Sequence, residues 1–308
     1  MECELLIIGS GPAGNTAALY AARGGIKVIQ VSGEQLGGQL TSTNEIENFP
    51  GVKKISGIGL MDIMNQQVKE LGVELLYDSV RSVQKSGNGF IVTTDYSGDI
   101  SAKSVIIATG AKPKLLGIEG EKEYWSKGVS TCATCDGFFC KDKDVLVVGG
   151  GNTAVEDAMY LSGIAKSVTL IHRRDSLRAE KTLQEKLFQV QNINVIWNTE
   201  LKQISGDQDS GRVSKVLISN NVTKLESELA VGHIFIAIGY SPNSALFREF
   251  VDCDEEGYII TENTKTNIQG LFAAGDVQDP KYRQAVISAG SGAIAAIEAQ
   301  KYLMSSLI

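Results

Sequence analysis

The chain has 308 residues with a formal net charge of −7, and 43% of its residues are hydrophobic. Its length and apolar share allow two domains with substantial cores, while the acidic balance argues against nucleic acid, whose phosphates require a basic face. The N-terminal residues lack the basic head and long apolar body of a signal peptide, and no apolar stretch is long enough to span a bilayer. The five cysteines, an odd number, are not typical of a secreted disulfide framework. We therefore expect a soluble, cytoplasmic protein.

An apolar strand, a glycine-rich turn and an Ala-rich helix open the chain. Residues 4–8 predict the strand, residues 9–14 form the turn, and residues 15–23 predict the helix. The Gly-x-Gly-x-x-Gly pattern of Gly9, Gly11 and Gly14 allows a tight turn and lets backbone amides approach a pyrophosphate at the helix N-terminus. In this context the pattern predicts a dinucleotide site.

The second strand, residues 27–31, ends without the acid that usually holds a ribose hydroxyl. Ser32 and Gly33 occupy that place, which makes NAD less favoured at this turn. The following loop contains Gly37, Gly38 and Gln39, and its consecutive glycines let backbone amides touch a flat ring or a phosphate. The alternative is a flexible loop without a ligand.

The remainder of the first half predicts one helix followed by several strands. Glycines between the alternating segments indicate a small antiparallel meander. A buried run then closes this module at the Thr109-Gly110 turn. In chain order the predicted elements are a helix over 59–71 and strands over 73–77, 80–83, 90–94, 99–103 and 104–110.

Two cysteines separated by two residues, Cys132 and Cys135, are followed directly by Asp136. Such a pair can form a disulfide within one turn of chain, and the carboxyl could supply or remove the proton that thiol chemistry requires. A zinc half-site is disfavoured because no second Cys pair exists and neither histidine lies at a usual ligand spacing, so we predict no metal. The spacing alone favours a redox pair and an idle pair of thiols equally.

The layout of the first half then recurs. A strand over 144–148 leads into Gly149, Gly151, Asn152 and Thr153, and a helix follows to about residue 162. The order of parts matches the first half, which indicates a repeat of domains and not a solenoid. The predicted strands that follow cover 168–171, 195–197, 201–204, 213–219 and 233–239.

Positive charge stands where the second repeat would otherwise carry a ribose-binding acid. His172, Arg173 and Arg174 follow the strand, and Arg178 comes about one helical turn later. Arginine makes charge-assisted, bidentate bonds to phosphate, so this half is predicted to bind NADPH in preference to NADH. The alternative is a solvated basic surface. Two dinucleotides need two different tasks, so we assign hydride donation to NADPH and the first turn to FAD.

The C-terminal segment returns to the first domain. A short apolar strand ends in Gly275-Asp276, which places a carboxylate where open sheets bind ligands and where it could accept from ribityl hydroxyls. Arg283, Gln284 and Ala285 begin a helix whose N-terminal amides could face the flavin's pyrimidine edge, although the helix could also pack the core. The predicted fold is α/β, with two Rossmann-like dinucleotide-binding domains, each with a parallel sheet, helices and an antiparallel meander. The FAD domain is discontinuous (1–112 and 243–308), and the NADPH domain (113–242) is inserted into it.

Taken together, these motifs resemble the low-molecular-weight thioredoxin reductases, class II pyridine nucleotide-disulfide oxidoreductases. The resemblance covers nearly the whole chain in order, including a dithiol just before the second glycine turn and the missing acid after the second strand. It implies FAD- and NADPH-dependent reduction of thioredoxin by a homodimer. It also implies that Cys135 is nearest the flavin, that Cys132 attacks the partner's disulfide, and that Asp136 donates and accepts the proton. Rotation of the inserted domain is implied too, with hinges near residues 110–114 and 239–243.

We expect two sets of cofactor-binding residues. For FAD they are Gly9, Ser10, Gly11, Pro12, Ala13, Gly14, Ser32, Gly37, Gly38, Gln39, Asn48, Thr109, Gly110, Asp276, Arg283, Gln284 and Ala285. For NADPH they are Gly149, Gly151, Asn152, Thr153, His172, Arg173, Arg174 and Arg178.

Thioredoxin docking is assigned to Lys127, Phe138 and Phe139, with core packing of the two aromatic rings equally favoured.

Other functions remain open at this point. A reductase of the same architecture could serve ferredoxin or a peroxidase, and a redox sensor could bind both nucleotides without turnover. The intact arginine set disfavours an NADPH-independent enzyme, and the dithiol disfavours a ferredoxin reductase that lacks one. A sensor would need no proton shuttle at Asp136. Cys3, Cys140 and Cys253 are predicted to be reduced thiols without an assigned role.

Overall fold

The computed structural model describes residues 1–305, and the chain divides into two compact units. The first unit comprises Met1–Lys112 and Tyr240–Ile308, and the second comprises Pro113–Gly239. Residues 306–308, which the expected domain 243–308 includes, lie outside the described part. Among residues 1–305, no helix is both long enough and apolar enough to cross a membrane.

The strands alternate with helices along most of the chain. The strands are β1 (Glu2–Ile8), β2 (Val28–Val31), β3 (Glu74–Leu76), β4 (Val80–Ser86), β5 (Gly89–Thr94), β6 (Asp99–Ile107), β7 (Ala111–Pro113), β8 (Val129–Ser130), β9 (Asp144–Gly149), β10 (Ser167–Ile171), β11 (Ile193–Ile196), β12 (Thr199–Gly206), β13 (Val213–Asn220), β14 (Glu226–Ala230), β15 (His233–Ala237), β16 (Tyr240–Pro242) and β17 (Leu271–Ala273). The α-helices are α1 (Pro12–Arg23), α2 (Gly57–Glu70), α3 (Ala133–Asp136), α4 (Asn152–Ser162), α5 (Lys181–Leu187) and α6 (Ala285–Ser305). Short 3₁₀ helices cover Gly38–Ser42, Gly137–Cys140, Ala245–Phe247 and Gly275–Val277.

A seven-stranded sheet forms the framework of the first unit, with the order β3-β2-β1-β6-β5-β4 and β17 beside β6. Strand β6 pairs with β1 in parallel, then with β5 in antiparallel through residues 99–102 and with β17 in parallel through residues 105–107. The prediction of separate strands over 99–103 and 104–110 is therefore wrong. Burial alternates in the first half of β6 and is continuous in the second half, so one strand has the sequence pattern of two.

Small residues bring the helices of the first unit close to the sheet. The Ala side chains of α1 and α6 pack with Leu5 and Ile7 on one face, and Leu6, Ile8 and Phe90 pack on the other. A side chain at Gly292 of α6 would overlap the carbonyl of Ala13 in α1. The two helices can therefore approach each other at this crossing only because residue 292 has no Cβ.

Helix α1 begins at Pro12, three residues before the predicted start. Proline is favoured at the first position of a helix, where its missing N–H has no intrahelical acceptor. As a result Pro12, Ala13 and Gly14 lie in the first turn of α1 and not in a separate loop. Helix α2 also begins earlier than predicted, at Gly57, after an N-cap at Ser56 whose hydroxyl accepts from the Gly59 N–H.

The second unit contains a five-stranded parallel sheet, β11-β10-β9-β15-β8, and a three-stranded antiparallel sheet, β12-β13-β14. The predicted strand over 195–197 corresponds to β11, which pairs in parallel with β10. Strand β14 and helix α5 were not predicted. Strand β14 is polar and largely exposed, so it carries no alternating pattern that a sequence could show.

Both units pair a parallel sheet and its helices with antiparallel strands, which confirms the predicted α/β class and the repeat. The segments that connect the units, β7 and β16, form a two-stranded ladder.

Candidate redox and dinucleotide sites

The first glycine turn joins β1 to α1. At Gly9 the backbone φ is +117°, and a Cβ would overlap the Ala108 carbonyl; at Gly14 a Cβ would overlap the Gly9 carbonyl. Gly11 differs, because among residues 1–305 its hypothetical Cβ would have one neighbour within 4 Å, the Gly37 carbonyl oxygen at 3.9 Å. The protein's own packing requires glycine at residues 9 and 14, whereas Gly11 leaves open space at the N-terminus of α1.

Ser10 joins the glycine turn to the end of β2 and to the following loop. Its buried hydroxyl donates to the Ser32 carbonyl at 2.9 Å and accepts from the Gly37 N–H at 3.0 Å. Gly37 and Gly38 have left-handed φ values of +84° and +64°. The structure thus brings these predicted residues together, while the exposed Gln39 side chain contacts Ser42 at 3.3 Å.

A buried amide network lies beneath this turn and was missed by the sequence reasoning. The Gln30 side chain donates to the Gly9 carbonyl and to the Asn15 carbonyl oxygen Oδ1, both at 2.9 Å, and Asn15 donates to Asn65 Oδ1 at 2.8 Å. Gln30 is polar in a strand that is buried throughout. A glutamine within a buried apolar strand could have indicated this network, because buried side-chain amides are almost always hydrogen-bonded.

Two further groups of predicted FAD residues make contacts within the first unit. Asn48 Nδ2 donates to Gln284 Oε1 at 3.3 Å. The Thr109 hydroxyl donates to the Asn243 carbonyl at 2.8 Å, and the Asn243 N–H donates to the Gly110 carbonyl at 2.9 Å. Thr109 and Gly110 are therefore held against residue 243.

Asp276 lies after β17, close to the start of α6. Burial raises the pKa of its carboxyl, although a hydrogen bond of 2.8 Å from the Ser288 hydroxyl opposes this rise. Arg283 precedes α6 with a φ of +47°, and its guanidinium lies 4.4 Å from the ring centroid of Tyr240. The predicted helix start at Arg283 is wrong, because this left-handed residue cannot belong to a right-handed helix.

The second glycine turn joins β9 to α4. A Cβ at Gly150 would overlap the ring of His172, whereas a Cβ at Gly151 would meet no atom of the described residues within 4 Å. Asn152 and Thr153 form the first turn of α4. This turn therefore repeats the feature at Gly11: one glycine leaves open space in front of a helix N-terminus.

His172 and the three predicted arginines occupy different environments. His172 is buried, and its Nε2 has no hydrogen-bond partner among residues 1–305. Burial lowers its pKa, and the positive charges of Arg178, Arg174 and Arg173 lower it further. The side chains of the three arginines are exposed, and Arg178 donates its backbone N–H to the Gly150 carbonyl at 2.7 Å. The arginines thus remain on the surface near the turn.

Cys132 and Cys135 form a disulfide, which confirms the predicted pairing. Cys132 caps α3, and the backbone N–H groups of Cys135 and Asp136 donate to its carbonyl at 3.2 Å and 3.1 Å. Burial raises the pKa of the Asp136 carboxyl, and a hydrogen bond from Ser130 opposes the rise. A carboxyl with a raised pKa next to a disulfide is suited to proton transfer during thiol exchange.

Ser130 is a further residue that the sequence does not indicate. Its hydroxyl contacts both Asp136 and the backbone N–H of Cys132, yet a serine at the end of a short strand gives no signal of this role. Cys140 lies nearby, fully buried, and burial raises its pKa to about 12. A thiol with this pKa is inert at neutral pH.

The residues predicted for partner docking differ in exposure. Phe138 is 73% exposed, while Phe139 is half-buried and lies edge-on to it, with 5.9 Å between the ring centroids. Lys127 is exposed and lines a shallow depression of about 420 Å³ with Glu119, Glu123 and Asp207. Core packing therefore does not explain Phe138.

Comparison with known proteins gives consistent matches over almost the whole chain. The sequence model of the pyridine nucleotide-disulphide oxidoreductases matches residues 3–292. A thioredoxin reductase of Rickettsia conorii is 49% identical over 303 residues, covering 97% of this chain and 98% of that protein. A thioredoxin reductase of Vibrio cholerae is 46% identical over 312 residues, covering 98% of this chain and 97% of that protein.

Solved structures agree with the sequence matches. The thioredoxin reductase of Streptococcus pyogenes is 44% identical, with a TM-score of 0.94 and 99% of both chains covered. The thioredoxin reductase of Lactococcus lactis, described as the FR conformation, is 41% identical over 98% of this chain and 99% of its own, with a TM-score of 0.66.

Proposed function

The chain belongs to the pyridine nucleotide-disulphide oxidoreductase family, and on that premise we propose that it is a thioredoxin-disulfide reductase. The family to which its relatives belong uses FAD and NADPH. The balanced reaction consumes NADPH, one proton and the disulfide of thioredoxin, and yields NADP⁺ and the thioredoxin dithiol. The observation that carries the proposal is the Cys132–Cys135 disulfide, which Asp136 follows directly in the chain.

The dithiol would act by thiol–disulfide exchange. Once reduced, Cys132 attacks one sulfur of the thioredoxin disulfide and forms a mixed disulfide, and the other thioredoxin sulfur leaves as a thiolate that takes up a proton. Cys135 then attacks Cys132, which releases the second thioredoxin thiol and restores the Cys132–Cys135 disulfide. Asp136, whose pKa is raised by burial, supplies and removes the protons of these steps.

The first unit fits FAD, and the predicted residues would hold it. The open space at Gly11 allows a pyrophosphate to approach the N-terminus of α1, which favours negative charge. Asp276, held by Ser288, can accept from ribityl hydroxyls. Bound there, FAD would supply two-electron transfer between NADPH and the disulfide. We assign FAD to residues 1–112 and 243–308.

The second unit would bind NADPH, and we assign residues 113–242 to this domain together with the dithiol. The open space at Gly151 suits the pyrophosphate, and the exposed Arg173, Arg174 and Arg178 suit the 2′-phosphate. His172 would contribute by packing against Gly150, since its ring is buried there.

We further propose that the NADPH domain rotates during turnover, with hinges at residues 110–114 and 239–243. The dithiol and the nicotinamide belong to one domain, and each must reach the same flavin. Two relatives of nearly equal identity have TM-scores of 0.94 and 0.66 to this chain, as expected if the family adopts more than one domain arrangement. A crosslink between the units that left turnover unchanged would contradict the rotation.

Surface features support the proposals on partners. The exposed Phe138, with Phe139 and Lys127, would receive thioredoxin. Helix α6 exposes Ile287, Ile294 and Ile297 along one side, which supports a homodimer formed through the first unit. Sedimentation of the wild type as a single monomer at micromolar concentration would contradict the dimer.

We also propose a cytoplasmic location. Cys3, Cys140 and Cys253 are free thiols, and free thiols are kept reduced in the cytosol.

An NADPH oxidation assay with and without oxidised thioredoxin tests the proposed function. We expect thioredoxin-dependent oxidation of NADPH with one thioredoxin dithiol formed per NADPH, and little oxidation without thioredoxin. A Cys132→Ser variant with its flavin retained is the matched control and should be inactive towards thioredoxin. NADPH oxidation that is unaffected by thioredoxin and by this substitution would contradict the proposal.

A further inference from the structure

We propose that Asn198 and Asn221 are positioning residues that hold the backbone of Arg173 and Arg174, and that they thereby set the preference for NADPH over NADH. This inference rests on the proposed function, which assigns the 2′-phosphate to these arginines. Neither asparagine belongs to the glycine turn or to the arginine segment.

The two asparagines hydrogen-bond directly to the backbone of the arginine pair. The backbone N–H of Asn198 donates to the Arg174 carbonyl at 3.0 Å, and Asn221 Nδ2 donates to the Arg173 carbonyl at 3.1 Å. The two asparagines are also hydrogen-bonded to each other, because the Asn221 N–H donates to the Asn198 carbonyl at 2.6 Å. Two consecutive arginine carbonyls are therefore held by groups that are also joined to each other.

Asparagine suits both positions for a physical reason. Asn198 has a φ of +51°, a left-handed conformation that asparagine tolerates and β-branched residues do not. The side-chain amide of Asn221 has two N–H donors. It donates to the Arg173 carbonyl and also hydrogen-bonds to the Glu200 carboxylate. Glu200 also bonds to Lys202 at 2.8 Å, which fixes its own position.

The other end of the arginine segment is held by separate contacts. Arg178 and Ala179 both donate their backbone N–H groups to the Gly150 carbonyl, at 2.7 Å and 3.2 Å. Asn152 and Glu180 are hydrogen-bonded reciprocally, at 3.1 Å and 2.9 Å. The segment that carries the three exposed arginines is thus fixed at both ends. The asparagines fix the end that contains Arg173 and Arg174.

A fixed backbone matters because a bidentate arginine–phosphate contact depends on direction. If the segment were mobile, part of the interaction would be lost to the cost of ordering it on binding. Only ligands with a 2′-phosphate contact the arginine pair. A more mobile pair should therefore weaken the binding of those ligands and leave the binding of other ligands unchanged. A general loss of structure would weaken the binding of both kinds of ligand.

The test measures the binding of 2′,5′-ADP and of 5′-AMP, which differ only by the 2′-phosphate, to the full-length flavoprotein by calorimetry. For Asn221→Ala we expect a loss of about tenfold in 2′,5′-ADP affinity, as for one lost hydrogen bond, with 5′-AMP affinity unchanged. Thr223→Ala, in the same turn, is the matched control, because the Thr223 hydroxyl accepts from the Leu225 N–H and makes no hydrogen bond to an arginine among residues 1–305. This variant should bind both ligands as the wild type does.

A second pair of variants keeps the test independent of the Asn221 side chain. Asn198→Gly retains the left-handed backbone and should keep the preference, whereas Asn198→Val should reduce it. If the wild type binds both ligands equally, the NADPH assignment and this inference both fail. Two outcomes would contradict the inference alone, in a wild type that prefers 2′,5′-ADP. In one, Asn221→Ala leaves the affinity ratio of the two ligands unchanged; in the other, it lowers both affinities by the same factor.

Discussion

The hydroxyl of Ser130 accepts a hydrogen bond from the backbone N–H of Cys132, with an N···O distance of 3.1 Å. The same hydroxyl bonds to the carboxyl of Asp136. A serine has one O–H and two lone pairs, so it accepts from Cys132 while it donates to Asp136. One buried side chain therefore connects the first cysteine to the candidate proton donor.

Replacing Ser130 should move the titration of Asp136. The hydrogen bond from Ser130 favours the ionised carboxylate, so Ser130→Ala should raise the Asp136 pKa beyond the rise that burial already causes. We expect the corresponding inflection in the pH–rate profile of thioredoxin reduction to shift to higher pH. Ser130→Thr keeps the hydroxyl and should retain the wild-type profile, and an unchanged profile in Ser130→Ala would contradict the assignment.

Asp136→Asn should slow turnover without loss of flavin. A positioned acid or base contributes about 100-fold to 10,000-fold to a rate, and the amide cannot exchange a proton. The measurement is thioredoxin-dependent turnover normalised to flavin absorbance, which the substitution should leave unchanged. The inflection moved by Ser130→Ala should be missing in this variant, and a wild-type rate would remove Asp136 from the mechanism.

Two adjacent glycines should respond differently to the same substitution. Gly150→Ala would place a methyl group on the His172 ring, so this variant should lower the thermal stability of the second unit. In Gly151→Ala the added methyl group would meet no atom of residues 1–305 within 4 Å, so the stability of this variant should stay unchanged while NADPH binding weakens.

Thermal unfolding and NADPH titration of both variants test this pair. Equal stability of the two variants would show that His172 does not determine the requirement for glycine at residue 150. Unaltered NADPH affinity in Gly151→Ala would argue against a pyrophosphate at this turn.

His233 should make the second unit sensitive to mild acid. Burial, together with the positive charges of Lys143 and Arg212, lowers its pKa to about 4. Above pH 6.5 the residue is neutral in both states; below it the unfolded chain takes up a proton that the folded chain refuses until about pH 4. Stability is therefore lost as the pH falls, by up to about 2 kcal/mol at pH 5.

His233→Leu should remove this component of the acid sensitivity. Both tryptophans of the chain, Trp125 and Trp197, lie in the second unit, so their fluorescence during urea unfolding reports on it. We expect the loss of stability between pH 7.5 and pH 5 to be smaller in the variant. An equal loss in both proteins would mean that other groups cause the acid sensitivity.

Local patterns predicted the parts of the chain whose signals are short-range. The glycine turns, the helices that follow them and the Cys132–Cys135 pair each depend on a few consecutive residues, and the structure contains all of them. Long-range pairing was harder to predict: β6 changes partner without a break, and β11 joins the parallel sheet because of β10, which its own sequence does not indicate. The polar strand β14 had no pattern to detect.

The same distinction holds within the sites. Ser130, Gln30 and Asn221 act through contacts with residues that their own surroundings in the sequence do not specify, and each is of a type common in ordinary turns and strands. Their roles depend on the fold bringing them to Asp136, to Gly9 and to Arg173. Only the fold therefore reveals these residues.

Anaerobic titration of the oxidised flavoprotein with NADPH tests the central claim most directly, because it counts the electrons that the protein accepts. A flavin and a disulfide each accept two electrons, so the wild type should consume two equivalents of NADPH per flavin and expose two new thiols. The double variant Cys132→Ser, Cys135→Ser should consume one equivalent. A wild type that consumes only one equivalent, with its disulfide still oxidised, would contradict the account.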